Sequence, residues 1–224
     1  MQTIEVHNQA ELDAVPHRED TRINIRGAWK ESFVIDRAEP DAKICAFNCA
    51  VTVVRGTVDV FGGAAIVRGE DAAAILHTNS RGSCSDGGYI LAHDTSIVDV
   101  HKGGYALMDG NAVGRVFDGG RISAAGASRV SVQMGGYAEL RESATGTILC
   151  RGTAVGYNTA RMIVAPGAYI KRGDRDGIPE KGVTLERLRL EGVPKRKNEK
   201  KEKPPEAQDA PPDGQEVFGG AEID

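Results

Sequence analysis

The chain has 224 residues, a net charge of −4, 40% hydrophobic and only 5% aromatic residues, and 28 glycines. Few rings and many glycines exclude a globule built around one bulky core and fit an elongated fold of thin stacked layers. The mild acidity does not imply a general attraction to nucleic acid, and direct binding of it is not expected; no apolar run of about 18 residues is present to form a membrane-spanning helix.

In chain order, "TIEV" reads as a strand and "NQAELDAV" as a short helix, with Asn8 at the N-cap and Glu11 three residues on, the spacing of a capping box. With "RINI" and Trp29 these make an N-terminal cap over residues 1–30. The first twenty residues carry charges throughout and lack the apolar run of a signal peptide, so a cytosolic chain is expected. Cys45, Cys49, Cys84 and Cys150 are accordingly expected to be thiols that serve as small core residues, not disulfides.

Residues 31–173 carry the repeat. From Val54 to Gly173 the sequence divides into fifteen octads without a gap; from Asp86 they begin DGGYILAH, DTSIVDVH, KGGYALMD, GNAVGRVF. The third place is always small (Gly88, Ser96, Gly104, Ala112, Gly120, Ser128), and the fifth and seventh are mostly apolar. Places three, five and seven share one side of a strand, because β side chains alternate with period two, so each octad predicts an inward stripe. Places one and two hold Asp, Gly, Asn, Lys, Ser and Thr, which let the chain bend. A six-residue strand plus a two-residue corner, repeated, predicts an all-β, single-stranded right-handed β-helix or β-solenoid; glycine at such frequency excludes helices.

Residues 86–117 and 118–149 agree at fourteen of thirty-two positions, and large inward residues alternate with small ones every sixteen. A two-sided coil of sixteen residues would fill its interior that way; a three-sided coil of twenty-four is the alternative, and the spacing leaves both open. Residues 174–193, with Val183, Leu185, Leu188 and Leu190, are expected to cap the far end. From Pro194 the composition turns to Lys, Glu and Pro, which predicts a disordered tail over 194–224; Val217 and Phe218 are its best candidates for docking a partner.

Outward places supply the candidate sites. Tyr89, Tyr105, Arg121, Tyr137 and Tyr169 recur at sixteen-residue intervals, with Thr153 completing the series, and on a two-sided coil they would form a surface ladder able to bind a ligand. His77 and His93 would stack with Asp109 on a sixteen-residue coil, or His77 would lie under His101 on a longer one, giving a candidate metal site. Asp86, Asp94 and Asp118 at corners lack the order of a calcium nonapeptide. Asp99, Asp109 and Arg115 are the outward residues that would have to meet for carbohydrate chemistry, but no long loops wall a groove around them. "KRGD" at Lys171–Asp174 is read as coincidence.

With these octads and the "AELDAV" helix, the chain resembles the Gly/Ala-rich octad-repeat β-solenoid proteins encoded by actinobacteria and their phages, over roughly residues 1–175. The resemblance implies a β-helix with an N-terminal helical cap and a phage or prophage origin, and no transferable activity. Met108, Met134 and Met162 depart from the more uniform repeats. Bactofilins are a weaker likeness, since their hexads do not match octads. The expectation is a non-enzymatic scaffold, without cofactor, that binds a protein partner and is a monomer or small homo-oligomer in the host cytosol or a virion. The alternatives are a phage-encoded inhibitor of a bacterial defence system such as CRISPR-Cas, and a carbohydrate-binding or carbohydrate-active β-helix.

Overall fold

Small and β-branched residues alternate with polar ones along most of the chain, and in extended backbone that alternation buries one side and wets the other. In the computed structural model, which describes residues 2–16, 20–28, 31–37, 42–172 and 184–187, the result is one short helix and twenty strands. All of their pairings are parallel. The chain winds as a β-solenoid between two sheets, called faces A and B here.

Face A begins with β1 (Gln2–Val6), β2 (Thr21–Arg26), β4 (Lys43–Phe47), the second half of β5 (Ala50–Phe61) and β7 (Ala72–Leu76). Face B begins with β3 (Ser32–Asp36), the first half of β5, β6 (Ala64–Arg68) and β8 (Arg81–Ser85). From β9 (Tyr89–Ala92) to β19 (Tyr169–Arg172) a four-residue strand starts every eight residues, alternately on A and B, and β20 (Thr184–Arg187) follows on B beside β18 (Arg161–Val164). Each strand from β9 to β19 lies on the one sixteen residues earlier, as Tyr105 on Tyr89 and Val113 on Ile97. The coil is therefore two-sided, and the twenty-four-residue alternative is excluded.

Three sequence expectations need correction. The strands have four residues and the corners four, not six and two, because places eight and three are drawn into the turns. The metre also does not run unbroken from Val54. Around β6 the pairing Ala64↔Arg81 spans seventeen residues, and the inward residues there are Ala65 and Val67, one place early. Finally, Cys45, Cys49 and Cys84 are buried free thiols, but Cys150 is exposed at a corner. Burial pushes the Cys84 thiol up to about 12, so it stays protonated and inert. The methionines do not disturb the register: Met108 and Met162 are buried inward, and Met134 is exposed at a corner.

The interior is filled by pairing bulk on one face with absence on the other. A Cβ on Gly82 would lie 2.6 Å from Leu76 Cδ1, and one on Gly114 would lie 2.5 Å from Met108 Sδ; Gly146 likewise yields to Leu140. Met108 and Leu140 on face A each occupy the space that a face-B glycine leaves.

The two corners are different turns. After face A the left-handed residue is the first of the octad, as at Asp94 (φ 55°) and Gly110 (φ 64°); after face B it is usually the second, as at Gly119 (φ 69°). After face B the third place also packs against the coil below, so closely that a Cβ on Gly120 would lie 2.6 Å from Val100 O. After face A that place holds Ser96, Ala112, Ser128, Ala144 and Ala160, all buried with their Cβ accommodated. From Gly87 to Gly136 the doubled glycines thus mark every second corner: one glycine for a left-handed turn, the next for close approach.

At the N-terminal end, α1 (Gln9–Ala14) follows Asn8, whose side chain accepts from Glu11 N at 2.9 Å, while Glu11 Oε2 accepts from His7 N at 2.7 Å. Leu12 is buried in the common core. Gln9 brackets β3: Val34 N donates to its Oε1 at 2.8 Å, and its Nε2 donates to Val34 O at 3.1 Å. Among the described residues β3 pairs only with β5, so this amide blocks an open sheet edge. Gln9→Ala is expected to cost about 1 kcal/mol and to raise self-association. Urea melts with sedimentation analysis check this, and unchanged behaviour in both would refute the blocking role.

Trp29, the cap expected over 174–193 apart from Thr184–Arg187, Gly173 and Asp174 of "KRGD", and the tail 194–224 with Val217 and Phe218 lie outside the described residues. Within the expected cap, β20 is a parallel face-B strand whose half-buried Leu185 packs on the core.

Candidate functional site

Because side chains alternate, the places between the inward stripes of face A form two outward columns. The first runs Ala73, Tyr89, Tyr105, Arg121, Tyr137, Thr153, Tyr169, each directly on the last. The expected ladder is therefore assembled on a single sheet. Tyr89 and Tyr105 lean on each other, with centroids 5.8 Å apart and planes tilted by 31°. Burial, then the neighbouring Tyr105, raises the Tyr89 phenol above its ordinary value; burial, then Glu139, does the same for Tyr137. Both remain protonated donors at neutral pH, and Tyr137 OH donates to Glu139 Oε1 at 3.3 Å. Beside them Gly119, Gly120 and Gly135 leave a hollow, which Arg121, Tyr137 and Glu139 complete.

The second column was missed by sequence reasoning. It runs Ile75, Leu91, Leu107, Ser123, Glu139, Val155, so its early coils are apolar and half-buried beside Tyr89 and Tyr105. The signal was present in Ile75, Leu91 and Leu107, set sixteen residues apart.

The histidines occupy corners. After face A a column of rings stacks upward: Arg26 over Phe47 at 5.1 Å, Phe47 on Phe61 at 5.1 Å, Phe61 on His77 at 4.3 Å, and His77 on His93 at 6.0 Å. His93 Nδ1 then meets Asp109 Oδ1 at 2.8 Å, so His77, His93 and Asp109 share one column. His101 is on the opposite corner, stacked on Phe117 at 4.7 Å, and does not join them. His77 Nε2 meets Asp59 Oδ1 at 3.0 Å, and Asp59 also faces Lys43 Nζ at 3.5 Å. Carboxylates thus engage both histidines, and among the described residues no group of three or more His, Cys, Asp or Glu side chains is placed to hold a metal ion.

The candidates for carbohydrate chemistry do not converge. Arg115 holds Asp99 by two bonds of 2.6 Å on face B, while Asp109 is at the corner with His93. Asp86 and Asp118 lie at the corner after face B. Asp94 lies at the other corner and accepts from Thr78 at 2.9 Å.

No protein-family model matches the chain, and no curated protein matches it. Among solved structures it is similar to a TibC-catalyzed hyper-glycosylated TibA fragment at 14% identity, covering 84% of this chain and 96% of that one. The TM-score of 0.25 is too low for that likeness to support any reading of function.

Proposed function

We propose that the chain is a non-enzymatic scaffold that binds another protein through face A. The reading extends to a right-handed, octad-built solenoid closed by α1, and to a chain that is itself phage- or prophage-encoded, as a structural or accessory protein or as an inhibitor of a bacterial defence system, for which gene neighbourhood is the test. The observation that supports it best is the pair of adjacent outward columns: Tyr89 and Tyr105 beside Ile75, Leu91 and Leu107 give one sheet an apolar, aromatic strip. A flat sheet orders such groups before binding, so little conformational entropy is lost when a partner docks. The tilt of the Tyr89 and Tyr105 rings onto each other favours protein side chains over a sugar, which would need ring faces lying open along the surface.

The test is retention of a partner from lysate of the encoding host on the immobilised chain. The double variant Tyr89→Ala, Tyr105→Ala is expected to weaken retention about 100-fold or more, as loss of two central aromatics does, while its melting curve stays native-like. Retention equal to wild type would rule out face A as the contact surface.

A further inference from the structure

Five of the described arginines have an ion pair. Arg26 pairs with Glu5 at 3.2 Å, Arg55 with Asp36 at 2.9 Å, Arg115 with Asp99 at 2.6 Å, Arg141 with Glu139 at 3.3 Å and Arg161 with Glu186 at 2.8 Å. Arg121 has no ion pair or hydrogen bond among the described residues. Arg68, Arg81, Arg129 and Arg151 are also without an ion pair among the described residues, but Arg121 both lines this hollow and interrupts the ladder of rings.

Tyr105 lies one coil below Arg121 and Tyr137 one coil above, each about 4.8 Å away by strand spacing. The carboxylate in the wall of the hollow is already engaged. Glu139 Oε1 accepts from Tyr137 OH, and Glu139 Oε2 meets Arg141, whose guanidinium also lies over Tyr157 at 5.2 Å. The glycine amides at the floor are likewise used: Gly119 N donates to Gly135 O at 3.2 Å and Gly135 N to Arg151 O at 3.1 Å. None of the residues that line the hollow offers Arg121's planar, forked donor a free acceptor, and a carboxylate is the side-chain group of matching shape and charge.

We infer that the partner's contact segment is acidic at its centre: an Asp or Glu carboxylate enters the hollow onto Arg121, and flanking apolar side chains lie on Tyr105, Leu91 and Leu107. This rests on the reading of face A as a docking surface and adds the chemistry that selects the partner. Arg121 is the specificity-determining residue, and the rings on either side exclude water from the charged contact.

The test uses two blocked peptides, acetyl-Leu-Glu-Leu-amide and acetyl-Leu-Gln-Leu-amide, titrated to millimolar concentration while NMR follows the Arg121 Nε–H and the Tyr105 ring. The glutamate peptide is expected to shift Arg121 saturably and to bind about tenfold more tightly than its glutamine analogue. Arg121→Gln should erase that preference, and Arg121→Lys should restore part of it. Equal binding of the two peptides, a preference that persists in Arg121→Gln, or no shift at Arg121 would each overturn the inference. Equal shifts of Tyr105 by both peptides would overturn the carboxylate alone and leave face A as an apolar docking surface. Failure of the docking surface itself is read separately, from lysate retention by the tyrosine variants.

Discussion

Gly120→Ala is expected to lower the free energy of unfolding by about 3 kcal/mol, while Ser128→Ala, at the same place of the next octad, costs about 1 kcal/mol. The two differ by a corner. A Cβ on Gly120 would lie 2.6 Å from Val100 O and 3.0 Å from Val100 C, so the obstacle is backbone that is itself paired into the coil. Relief would require the coil below to move, and that coil carries its own neighbours. Ser128 already holds a Cβ in the buried position, and its hydroxyl donates to Ala125 O at 2.6 Å, so the alanine variant loses one hydrogen bond and leaves the packing intact. Urea melts followed by circular dichroism measure both. A loss below 1 kcal/mol for the glycine variant would show that the corner can widen and that the doubled glycines are not required by close approach.

The second large effect is a coupling across the interior. Leu140→Ala should cost about 3 kcal/mol, as removal of a fully buried leucine does. Gly146→Ala should cost a further 1–3 kcal/mol or so by overpacking, since its new Cβ would meet Leu140 Cδ1. In the double variant the methyl enters the space that the leucine vacated, and the summed loss should fall short of additivity by roughly 1 kcal/mol or more. Additive losses would mean that the two positions do not share one space, and that bulk on face A is not matched to glycine on face B.

Period-two alternation is a property of the residues themselves, so the inward stripe, the sixteen-residue ladder from Tyr89 to Tyr169 and the column of His77, His93 and Asp109 could all be read from spacing. Spacing fails where pairing overrides length. On face A, Arg22 lies under Lys43 and Ile44 under Val58, intervals of twenty-one and fourteen residues, because loops of different size feed strands that still align side by side. The same freedom produced the slip at Ala64, and it hid the contact of Asp59 with His77, which depends on pairing of β5 with β7. The apolar column of Ile75, Leu91 and Leu107 was legible but was obscured by treating all even places as one wetted surface. The idle state of Arg121 could not be read at all, since it depends on Glu139 being engaged by Tyr137 and Arg141.

The matching of bulk to glycine sets a quantum of length for this molecule. Leu76, Met108 and Leu140 recur on face A at thirty-two-residue steps, opposite Gly82, Gly114 and Gly146, while the coils between carry Ala92 and Ala124 opposite Val98 and Val130. Excising a single coil would stack two bulky layers together and two sparse ones on the other face; excising two would restore every neighbour. Between Leu76 and Gly146 the solenoid can therefore lengthen or shorten without mismatch only in pairs of coils, each pair adding about 9.6 Å along face A.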